Sequence, residues 1–300
     1  MIELSIIIPT HRRANILKSC LDHLERQTAK DRIEVIVISD GHDKETVEML
    51  QNHTWNIPIR FAEIPKSQQG VARNKGVTMA KADLVLFVGD DILLTPGACE
   101  THLEAHRKLK EMHRERSAVL GFTTWDPTMD ITPVMEWLEK SGWQFGYPHI
   151  TKYAHDFLPS QIQHLYTYSS QISIPLILAK EFPFKEDLTL YGWEDILWGA
   201  ELRNHHVYLY YEPDAVAHHR HTITLEQSVD RMETLGRSAA ILAQKYPYMD
   251  RVPRGWKVLA YYWFGAFPTV RGAHRRAFLR GVRAAQRGMR KKAAHQQTVI

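Results

Sequence analysis

The sequence is poor in cysteine and has no long apolar run. Its 300 residues include two cysteines, Cys20 and Cys99, which cannot form a disulfide framework, so we expect a reducing, cytoplasmic environment. The longest apolar stretch, residues 258–270, has 13 residues and contains a proline. A membrane-spanning helix needs roughly 20. The N-terminus carries Glu3 where a secretory signal carries positive charge, so we also expect no export.

Acidic residues are missing from one end of the chain. Residues 251–300 contain 12 Lys and Arg and no Asp or Glu, whereas residues 1–250 contain 26 basic and 34 acidic side chains, a net charge of −8. Hydrophobic residues make up 44% of the whole and charged residues 24%, which is usual for a globular chain and excludes disorder as its main character. The pattern predicts an acidic body with a basic C-terminal segment.

Strand and helix patterns alternate through the first 90 residues. Apolar runs predict strands at residues 3–9, 33–39, 59–64 and 84–88, and the segments between them predict helices at 16–24, 45–51 and 71–80. Strands that are apolar on both faces are typical of a parallel sheet covered by helices on both sides. Polar clusters follow three of the strands, at residues 10–13, 40–43 and 90–91. They should converge at the sheet edge where such proteins bind ligands.

Two acidic pairs could carry chemistry. Asp90 and Asp91 follow an apolar strand, where they could cap a helix or form a turn. They could equally supply oxygen ligands to a hard divalent cation that neutralises a diphosphate. Glu194 and Asp195 precede a helical pattern and could simply be the acidic first turn of that helix. A carboxylate held among aromatic residues could instead be a general base.

A third cluster is formed by His218, His219 and His221, which follow a strand-like run at residues 207–211 and Pro213. Histidines this dense can be surface residues, metal ligands or phosphate contacts. Their spacing matches no zinc signature, and the two distant cysteines cannot complete one. The cluster therefore favours a phosphate contact or a site for a metal other than zinc.

Five motifs occur in order along the chain: SIIIPTHRR, VISDGHD, QQGVARNKG, LVLFVGDDILLTPG and YGWEDILWGAEL. Their succession resembles that of the family 2 glycosyltransferases and covers residues 3 to about 222. The resemblance implies the GT-A (nucleotide-diphospho-sugar transferase) fold, an α/β fold with a Rossmann-like, mostly parallel central sheet flanked by helices. It implies a catalytic domain at 1–222, with a nucleotide-sugar-binding half at 1–98 and an acceptor-binding half at 99–222. A C-terminal helical extension follows at 223–300.

The resemblance also assigns donor-binding residues. Asp40 would read the base, Arg73 would help to position the nucleotide, and Asp90 would approach the ribose. The full set that it implies is Pro9, Thr10, His11, Arg12, Asp40, Gly41, Gln69, Arg73, Asp90 and Trp193. Two motifs depart from the family pattern, since Ser39-Asp40 stands for an acidic pair and Gly89-Asp90-Asp91 for three acids.

The resemblance implies separate metal and base positions. Asp91 would bind Mn²⁺ or Mg²⁺ together with His218, or with His221 if the register differs by one turn. Asp195 would be the general base of an inverting transfer, and Glu194 is the next candidate for that role.

The function implied by the resemblance is a divalent-metal-dependent, inverting glycosyl transfer. The donor would be a nucleotide-diphospho-sugar, with a UDP-sugar expected first, and the acceptor a saccharide or a lipid-linked molecule of the cell envelope. A nucleotidyltransferase shares the architecture but begins with a glycine-rich basic loop, and THRRAN contains no glycine. A nucleic-acid binder that uses the basic tail and a non-catalytic sugar-binding module are further alternatives. The presence of both metal-type and base-type carboxylates argues against the module, and we expect no nucleic-acid partner.

The C-terminal segment, residues 251–300, combines aromatic residues with a cationic helix pattern. Phe278, Val282, Ala285 and Met289 form a narrow apolar stripe at helical spacing. The pattern predicts a helix that lies on an anionic membrane surface, at the cytoplasmic face of the inner membrane. The alternative is a C-terminal helix docked on the acidic body.

Overall fold

A computed structural model describes residues 1–188 and 192–298, with side chains up to residue 291. Tyr191 of the fifth motif and the last two residues of the predicted tail lie outside the described residues. The described chain forms two compact units. The first comprises residues 1–131, 138–188 and 194–221, and the second comprises residues 132–137, 192–193 and 222–298.

The strands of the described residues form one sheet in the first unit. They are β1 (Leu4–Thr10), β2 (Ile33–Asp40), β3 (Ile59–Ile64), β4 (Leu84–Val88), β5 (Ile92–Leu94), β6 (Ser117–Trp125), β7 (Asp156–Phe157), β8 (Gln171–Pro175) and β9 (Tyr208–His219). Their order is β3-β2-β1-β4-β8-β6-β9-β5, and β7 also pairs with β9. The neighbours from β3 to β4 run parallel, and β8 is antiparallel to both β4 and β6.

The helices of the described residues follow the predicted alternation. They are α1 (Ala14–Leu24), α2 (Lys44–Asn52), α3 (Gln69–Met79), α4 (Ala98–Glu111), α5 (Pro133–Lys140), α6 (Ser160–Gln163), α7 (Leu176–Glu181), α8 (Glu194–Asn204), α9 (Leu225–Lys245), α10 (Trp256–Gly265) and α11 (Val270–Thr298). The α/β fold class is confirmed, and the predicted strands and helices of the first 90 residues all form within about two residues of their expected bounds.

The sheet is buried on both faces because alternate strand residues enter two different cores. In β1, Ile6 and Ile8 pack with one helix layer that includes Leu17 of α1, while Ile7 packs with the opposite layer. Every residue of β1 and β2 is buried. This double burial explains why apolar residues occupy both faces of these strands rather than alternate positions only, and the buried polar pair Ser5 and Glu34 satisfies itself by a hydrogen bond of 2.7 Å.

Strand β9 runs further than its sequence suggests. The register jumps from Leu120 opposite Tyr211 to Phe122 opposite Val216, so residues 212–215 bulge out between two regular stretches. Pro213 lies in this bulge, where the missing N–H costs no ladder hydrogen bond. The second stretch then brings residues 217–219 alongside β5, which follows the carboxyl end of β4.

The second unit contains a tightly packed helix pair. In α11, Phe278 and Val282 are buried against Ala239 and Ala240 of α9, with Ala285 and Met289 partly buried beside them. Two glycines permit this approach, since a Cβ on Gly236 or Gly281 would overlap the backbone of the facing helix.

The packing of α11 corrects one prediction. The apolar stripe from Phe278 to Met289 does not face lipid, because α9 covers it. Arg280 also pairs with Glu233 of α9 at 3.0 Å, so α11 docks on another helix of the second unit, while docking on the acidic body as a whole stays a prediction. Over the described residues, no helix combines the length and apolarity that would let it cross a bilayer.

Candidate active site

The carboxyl ends of β1 and β4 meet through side chains, as predicted. Pro9 and Thr10 end β1, and the Thr10 hydroxyl donates to Asp90 Oδ2 at 2.8 Å. Both Thr10 and Asp90 are buried. This contact brings the first and fourth motifs together, because parallel neighbours end at the same edge of the sheet.

Arg13 bridges the two carboxylates of the acidic pair, although the resemblance assigns this residue no role. Its Nη1 lies 2.7 Å from Asp90 Oδ1 and its Nη2 lies 2.9 Å from Asp91 Oδ2. A planar guanidinium suits two adjacent carboxylates because its N–H groups form a rigid fork. The resemblance names Arg12 as the basic residue of this loop, but the Arg12 side chain is exposed. The only sequence signal for Arg13 is that a basic residue in this loop could reach the two acids after β4.

Asp91 contacts His219 rather than His218. His219 Nε2 lies 3.5 Å from Asp91 Oδ2, and the imidazole stacks on Trp125 with ring centroids 5.1 Å apart. Side chains alternate along β9, so His218 points to the opposite face of the strand. His221 stacks on His219 at 5.8 Å between centroids. The contact with Asp91 is thus made by the residue next to the predicted His218, and metal binding by His218 or His221 stays a prediction.

The two carboxyl groups have opposite pKa shifts. Burial raises the pKa of Asp90 above its usual value, and the neighbouring charge of Asp91 adds to the rise. Burial also acts to raise the pKa of Asp91, but hydrogen bonding to His219 and the charges of His219 and Arg13 lower it overall. The pair thus concentrates negative charge on Asp91, the residue proposed to hold a cation.

Asp195 lies in the first turn of α8, so the predicted helix start is confirmed. Its carboxylate is held from one side, because Ser169 donates from its hydroxyl to Oδ1 and from its backbone N–H to Oδ2, the latter at 3.2 Å. The Thr167 hydroxyl donates to the backbone carbonyl of Asp195 at 2.7 Å. Nothing in the sequence singles out Ser169, since its role depends on a contact 26 residues away.

The topology places the Asp195 anchor beside the Asp90–Asp91 loop. Strand β8 pairs antiparallel with β4, so Gln171 at the start of β8 lies opposite Val88 at the end of β4. The ladder continues into both loops, where Gly89 N–H donates to Ser170 O at 3.2 Å. Ser169, which holds Asp195, is therefore one residue from a direct contact with the loop that carries the acidic pair.

Asp40 at the end of β2 accepts three hydrogen bonds. Lys66 Nζ lies 2.6 Å from Oδ2, and Ser67 donates to Oδ1 from its backbone N–H at 2.6 Å and from its hydroxyl at 3.2 Å. Burial acts to raise the pKa of Asp40, but these donors lower it below its usual value. The His11 ring packs close to Gly41, so the first and second motifs also meet at this edge.

Arg73 on α3 is a buried cation with spare donors. One amino group donates to Gln69 Oε1 at 3.2 Å, and the guanidinium lies 5.4 Å from the Phe184 ring centroid. Within the described part of the chain, Nε and Nη1 are buried and have no hydrogen-bond partner. Such donors cost free energy unless a ligand satisfies them, so this pair, Gln69 and Arg73, is suited to an anion or a carbonyl.

Two predicted residues differ from the rest. The Trp193 indole N–H donates to Leu235 O at 3.0 Å, and its ring packs with residues of α9 and α11 in the second unit. These contacts give no support to the prediction that Trp193 binds the donor. Glu194 begins α8 beside Asp195 and is half-buried, and none of its described contacts distinguishes it as a base.

The donor atoms at the sheet edge suit a hard divalent cation. Asp91 offers a carboxylate, and His219 offers an imidazole nitrogen at 3.5 Å from it. Carboxylate oxygen with one imidazole is an appropriate ligand set for Mn²⁺ and, with more oxygen, for Mg²⁺. Elsewhere in the described residues, Asp22, Glu25 and His53 form one group of mutually close potential ligands, and His155, Glu212 and Asp214 form another.

Known proteins with similar sequences include glycosyltransferases. The family model for Glycosyl transferase family 2 matches residues 5–142. Validoxylamine A glucosyltransferase of Streptomyces hygroscopicus subsp. jinggangensis is 27% identical over 220 residues, which cover 67% of this chain and 51% of that protein. A PGL/p-HBAD biosynthesis glycosyltransferase of Mycobacterium bovis is 37% identical over 89 residues, 29% of this chain and 34% of that protein. The chain spans about half the length of the validoxylamine relative, or less for others.

Solved structures with a similar fold include a mannosyltransferase and a protein in complex with UDP-GlcNAc. The mannosyltransferase PcManGT from Pyrobaculum calidifontis, in complex with GDP-Man and Mn²⁺, has a TM-score of 0.57 at 15% identity and covers 97% of this chain and 79% of that one. S. aureus TarS 1-349, in complex with UDP-GlcNAc, has a TM-score of 0.54 at 15% identity, with 97% and 92% covered.

The curled central sheet and its flanking helices define the GT-A class of fold. Within that class, residues 5–142 match the family model for Glycosyl transferase family 2, and the resemblance is confirmed over this part of the chain, which contains the first four of the five motifs.

Proposed function

We propose that this protein is an inverting, divalent-metal-dependent glycosyltransferase. It would move a sugar from a nucleotide-diphospho-sugar, with UDP-sugars the first choice, to a hydroxyl group of a saccharide or lipid-linked acceptor in cell-envelope synthesis. The observation that carries the proposal is the pairing of two carboxylate sites at one sheet edge. Asp91 lies at the end of β4, and Asp195 is anchored by the loop that precedes the neighbouring β8.

Two separate carboxylate sites match the needs of a single displacement. The acceptor oxygen forms a bond to the anomeric carbon while the bond from that carbon to the β-phosphate oxygen breaks. The bonding electron pair leaves with the phosphate, and the hydroxyl proton passes to Asp195 as general base. Attack opposite the leaving group inverts the anomeric configuration.

The position of the Asp195 carboxylate is fixed by Ser169, which donates to both of its oxygens. A base held in one orientation can accept the proton without rearrangement, and this orientation is what makes it effective. Glu194 is the reserve candidate, because it occupies the preceding position at the start of the same helix.

The donor would lie along the carboxyl ends of β1, β2 and β4. Three loops at this edge would line the donor site: the first contains Pro9, Thr10, His11 and Arg12, the second Asp40 and Gly41, and the third Asp90. The unpaired N–H donors of Arg73 would be available to an anionic or carbonyl group of the donor. In this arrangement Asp40, held ionised by Lys66 and Ser67, can accept an N–H from a base.

Asp91 would hold the metal ion, with His219 beside it and His221 stacked behind. A divalent ion bound there would neutralise charge on the departing diphosphate. Arg13 would compete with such an ion for Asp91 Oδ2, because this oxygen lies 2.9 Å from Arg13 Nη2 and 3.5 Å from His219 Nε2. Mn²⁺ and Mg²⁺ are the expected ions, since the ligands are oxygen-rich.

The test is a screen for released nucleoside diphosphate. Purified protein is incubated with UDP-, GDP- and TDP-sugars, with Mn²⁺, with Mg²⁺ or with a chelator, in the presence of a panel of saccharide acceptors. We expect release with one nucleotide class, dependent on added metal, and a β-product from an α-donor. A blank is provided by the double variant Asp91→Ala/Asp195→Asn, and a matched control by Asp214→Asn at an exposed carboxylate.

Release that is equal in the blank and in the Asp214→Asn control would contradict the proposal. So would a product with retained anomeric configuration, because a direct displacement with Asp195 as base can only invert. Release that continues unchanged in chelator would overturn the metal requirement alone.

A further inference from the structure

The helix α10 exposes several large apolar side chains, and none of the roles described above involves them. Trp256, Leu259 and Trp263 are 73%, 70% and 70% exposed. Their spacing of three and four residues places them on one face of the helix. Phe267, just beyond its end, is half exposed. Contiguous exposed residues of this size are uncommon on a monomeric protein and usually mark an interaction surface.

The opposite side of α10 is fixed to the helix pair of the second unit. Tyr261 packs on Phe278 of α11 with ring centroids 6.1 Å apart, and Gly265 is buried. Arg276 donates to Gly265 O near the end of the helix. The outward face is therefore presented by a helix whose inward face is already anchored.

Cations border this aromatic face. The Arg275 guanidinium lies 4.8 Å from the Phe264 ring centroid, and that of Arg283 lies 4.7 Å from the Tyr262 ring centroid. These cation–π contacts place the two guanidinium groups over aromatic rings of α10, and Arg283 remains exposed. Residues 251–300 contain no acidic side chain, so no carboxylate in this segment opposes an anionic partner.

We propose that the α10 face, defined as Trp256, Leu259, Trp263 and Phe267, inserts into the headgroup region of an anionic lipid bilayer, with Arg275 and Arg283 at the lipid phosphates. Trp side chains favour this boundary because the ring is apolar and the indole N–H can meet water. Cations beside an aromatic face suit anionic lipid more than neutral lipid. This surface replaces the α11 stripe, which α9 covers.

The partner of the α10 face is a bilayer rather than a nucleic acid because its centre is apolar. Nucleic-acid surfaces are polar and highly charged throughout, and binding proteins meet them mainly with cations and polar groups. Three residues about 70% exposed and without charge would meet phosphates poorly. An apolar centre with a cationic border matches the layered chemistry of a membrane interface.

The experiment is cosedimentation of the full chain with vesicles of phosphatidylcholine alone or of phosphatidylcholine with phosphatidylglycerol, at about 50 and about 300 mM NaCl. We expect binding to the anionic vesicles that weakens at the higher salt. Trp256→Ser with Trp263→Ser should reduce this binding at least about 10-fold. Ile177→Ser with Tyr248→Ser, at exposed apolar residues elsewhere, is the matched control and should bind like wild type.

Thermal unfolding of each variant by circular dichroism checks that the fold is kept, which is expected because the substituted side chains are exposed. If the wild type pellets with neither vesicle, or the double Trp variant pellets as well as the control, the proposal is overturned. Sedimentation that shows self-association lost with the Trp residues, without vesicle binding, would assign the face to a second copy of the chain and overturn the lipid assignment. Salt-dependent binding of a DNA or RNA oligonucleotide instead of vesicles would overturn it in favour of nucleic acid.

None of these measurements requires sugar transfer, so their failure and failure of the proposed function are distinguishable. As a further check, the rate at which nucleoside diphosphate is released during transfer to a small, water-dissolved saccharide should not change in the double Trp variant.

Discussion

The edge of the sheet and the outward face of α10 use charged and aromatic residues in opposite ways. At the edge, Arg13, Asp90 and Asp91 satisfy one another at 2.7 and 2.9 Å, and the acids are largely shielded from water. On α10, Trp256 and Trp263 project away from the protein, more than two-thirds exposed. In the first region the charged side chains pair with one another before any ligand binds, whereas in the second the aromatic side chains remain exposed to water.

The same contrast predicts that the sheet edge is sensitive to substitution and that the α10 face tolerates it. Removing one member of a buried ion pair leaves the other charge without compensation, which is strongly destabilising for the site. Replacing an exposed aromatic residue removes little that the folded chain itself uses. Substitutions at the edge should therefore affect donor chemistry, and substitutions on α10 should affect association alone.

The largest expected effect is at the base. Asp195→Asn should lower the rate of sugar transfer by about 10²- to 10⁴-fold, because no base remains to take the hydroxyl proton of the acceptor molecule. The affinity for the donor should not change. Single-turnover transfer and calorimetric donor binding measure the two quantities separately. Asp214→Asn serves as the control. Near-wild-type turnover in a folded Asp195→Asn variant would move the role to Glu194, and a parallel loss of donor affinity would move Asp195 into the donor site.

The next effect is at the acidic pair. Asp91→Ala should weaken metal-dependent donor binding at least about 10-fold, because one remaining neighbouring carboxylate compensates the diphosphate poorly. Calorimetry with a nucleoside diphosphate at saturating Mn²⁺ measures this loss. Replacing Asp22 by Ala, in the separate Asp22, Glu25 and His53 group, is the control. Equal affinity in Asp91→Ala and wild type would remove the metal role from Asp91.

A third prediction concerns buried histidines, which occur in both units. His102 of the first unit bonds Ser173 Oγ at 2.8 Å, and His274 of the second unit bonds Ser228 Oγ at 2.7 Å. Burial, with a smaller contribution from the charge of His106, lowers the pKa of His102 to about 3. In the unfolded chain, His102 takes up a proton as the pH falls below about 6.5. In the folded chain it stays neutral until about pH 3. The free energy of unfolding therefore decreases as the pH drops through that window.

Between about pH 7 and about pH 5 this histidine should remove about 2 kcal/mol from the free energy of unfolding. Urea titrations at the two pH values measure the loss, and His102→Gln should reduce it by about that amount. His42→Gln, at an exposed histidine, is the control. A pH dependence that His102→Gln leaves unchanged would place the acid sensitivity elsewhere, with His274 the first residue to examine in the second unit.

The smallest effect is expected at the residue that positions the base. Ser169→Ala should lower the turnover number about 10-fold with little change in donor affinity, because Asp195 keeps its charge but loses one of its two donors. Ser169→Thr should restore turnover, since the hydroxyl returns. A KM that rises while turnover is unchanged would instead assign Ser169 to substrate binding.

Local sequence patterns carried most of the fold. The apolar runs at β1, β2, β3 and β4 fix strands because both of their faces must be buried, and the loops after them collect the polar residues that a parallel sheet brings to one edge. The convergence of Thr10 with Asp90 follows from that topology. The start of α8 at Glu194 and Asp195 was equally readable, because acids favour the first turn of a helix.

Contacts between distant segments were not readable in the same way. The choice of His219 over His218 depends on a bulge at residues 212–215 that sets the phase of β9. Ser169 reaches Asp195 only because β8 runs antiparallel beside β4. Trp193 lies in a motif that suggested donor contact, yet its indole packs with α9 and α11.

The sequence by itself therefore determined the fold class, the family resemblance and the residue types that meet at the sheet edge. These depend on local periodicity and on residues adjacent in the chain. Only the tertiary structure decided that Arg13 clamps the acidic pair, that α9 covers the α11 stripe, and that the α10 face remains open. An apolar stripe has the same pattern whether a helix or a lipid covers it, and the partner is set by which segments the folded chain brings into contact.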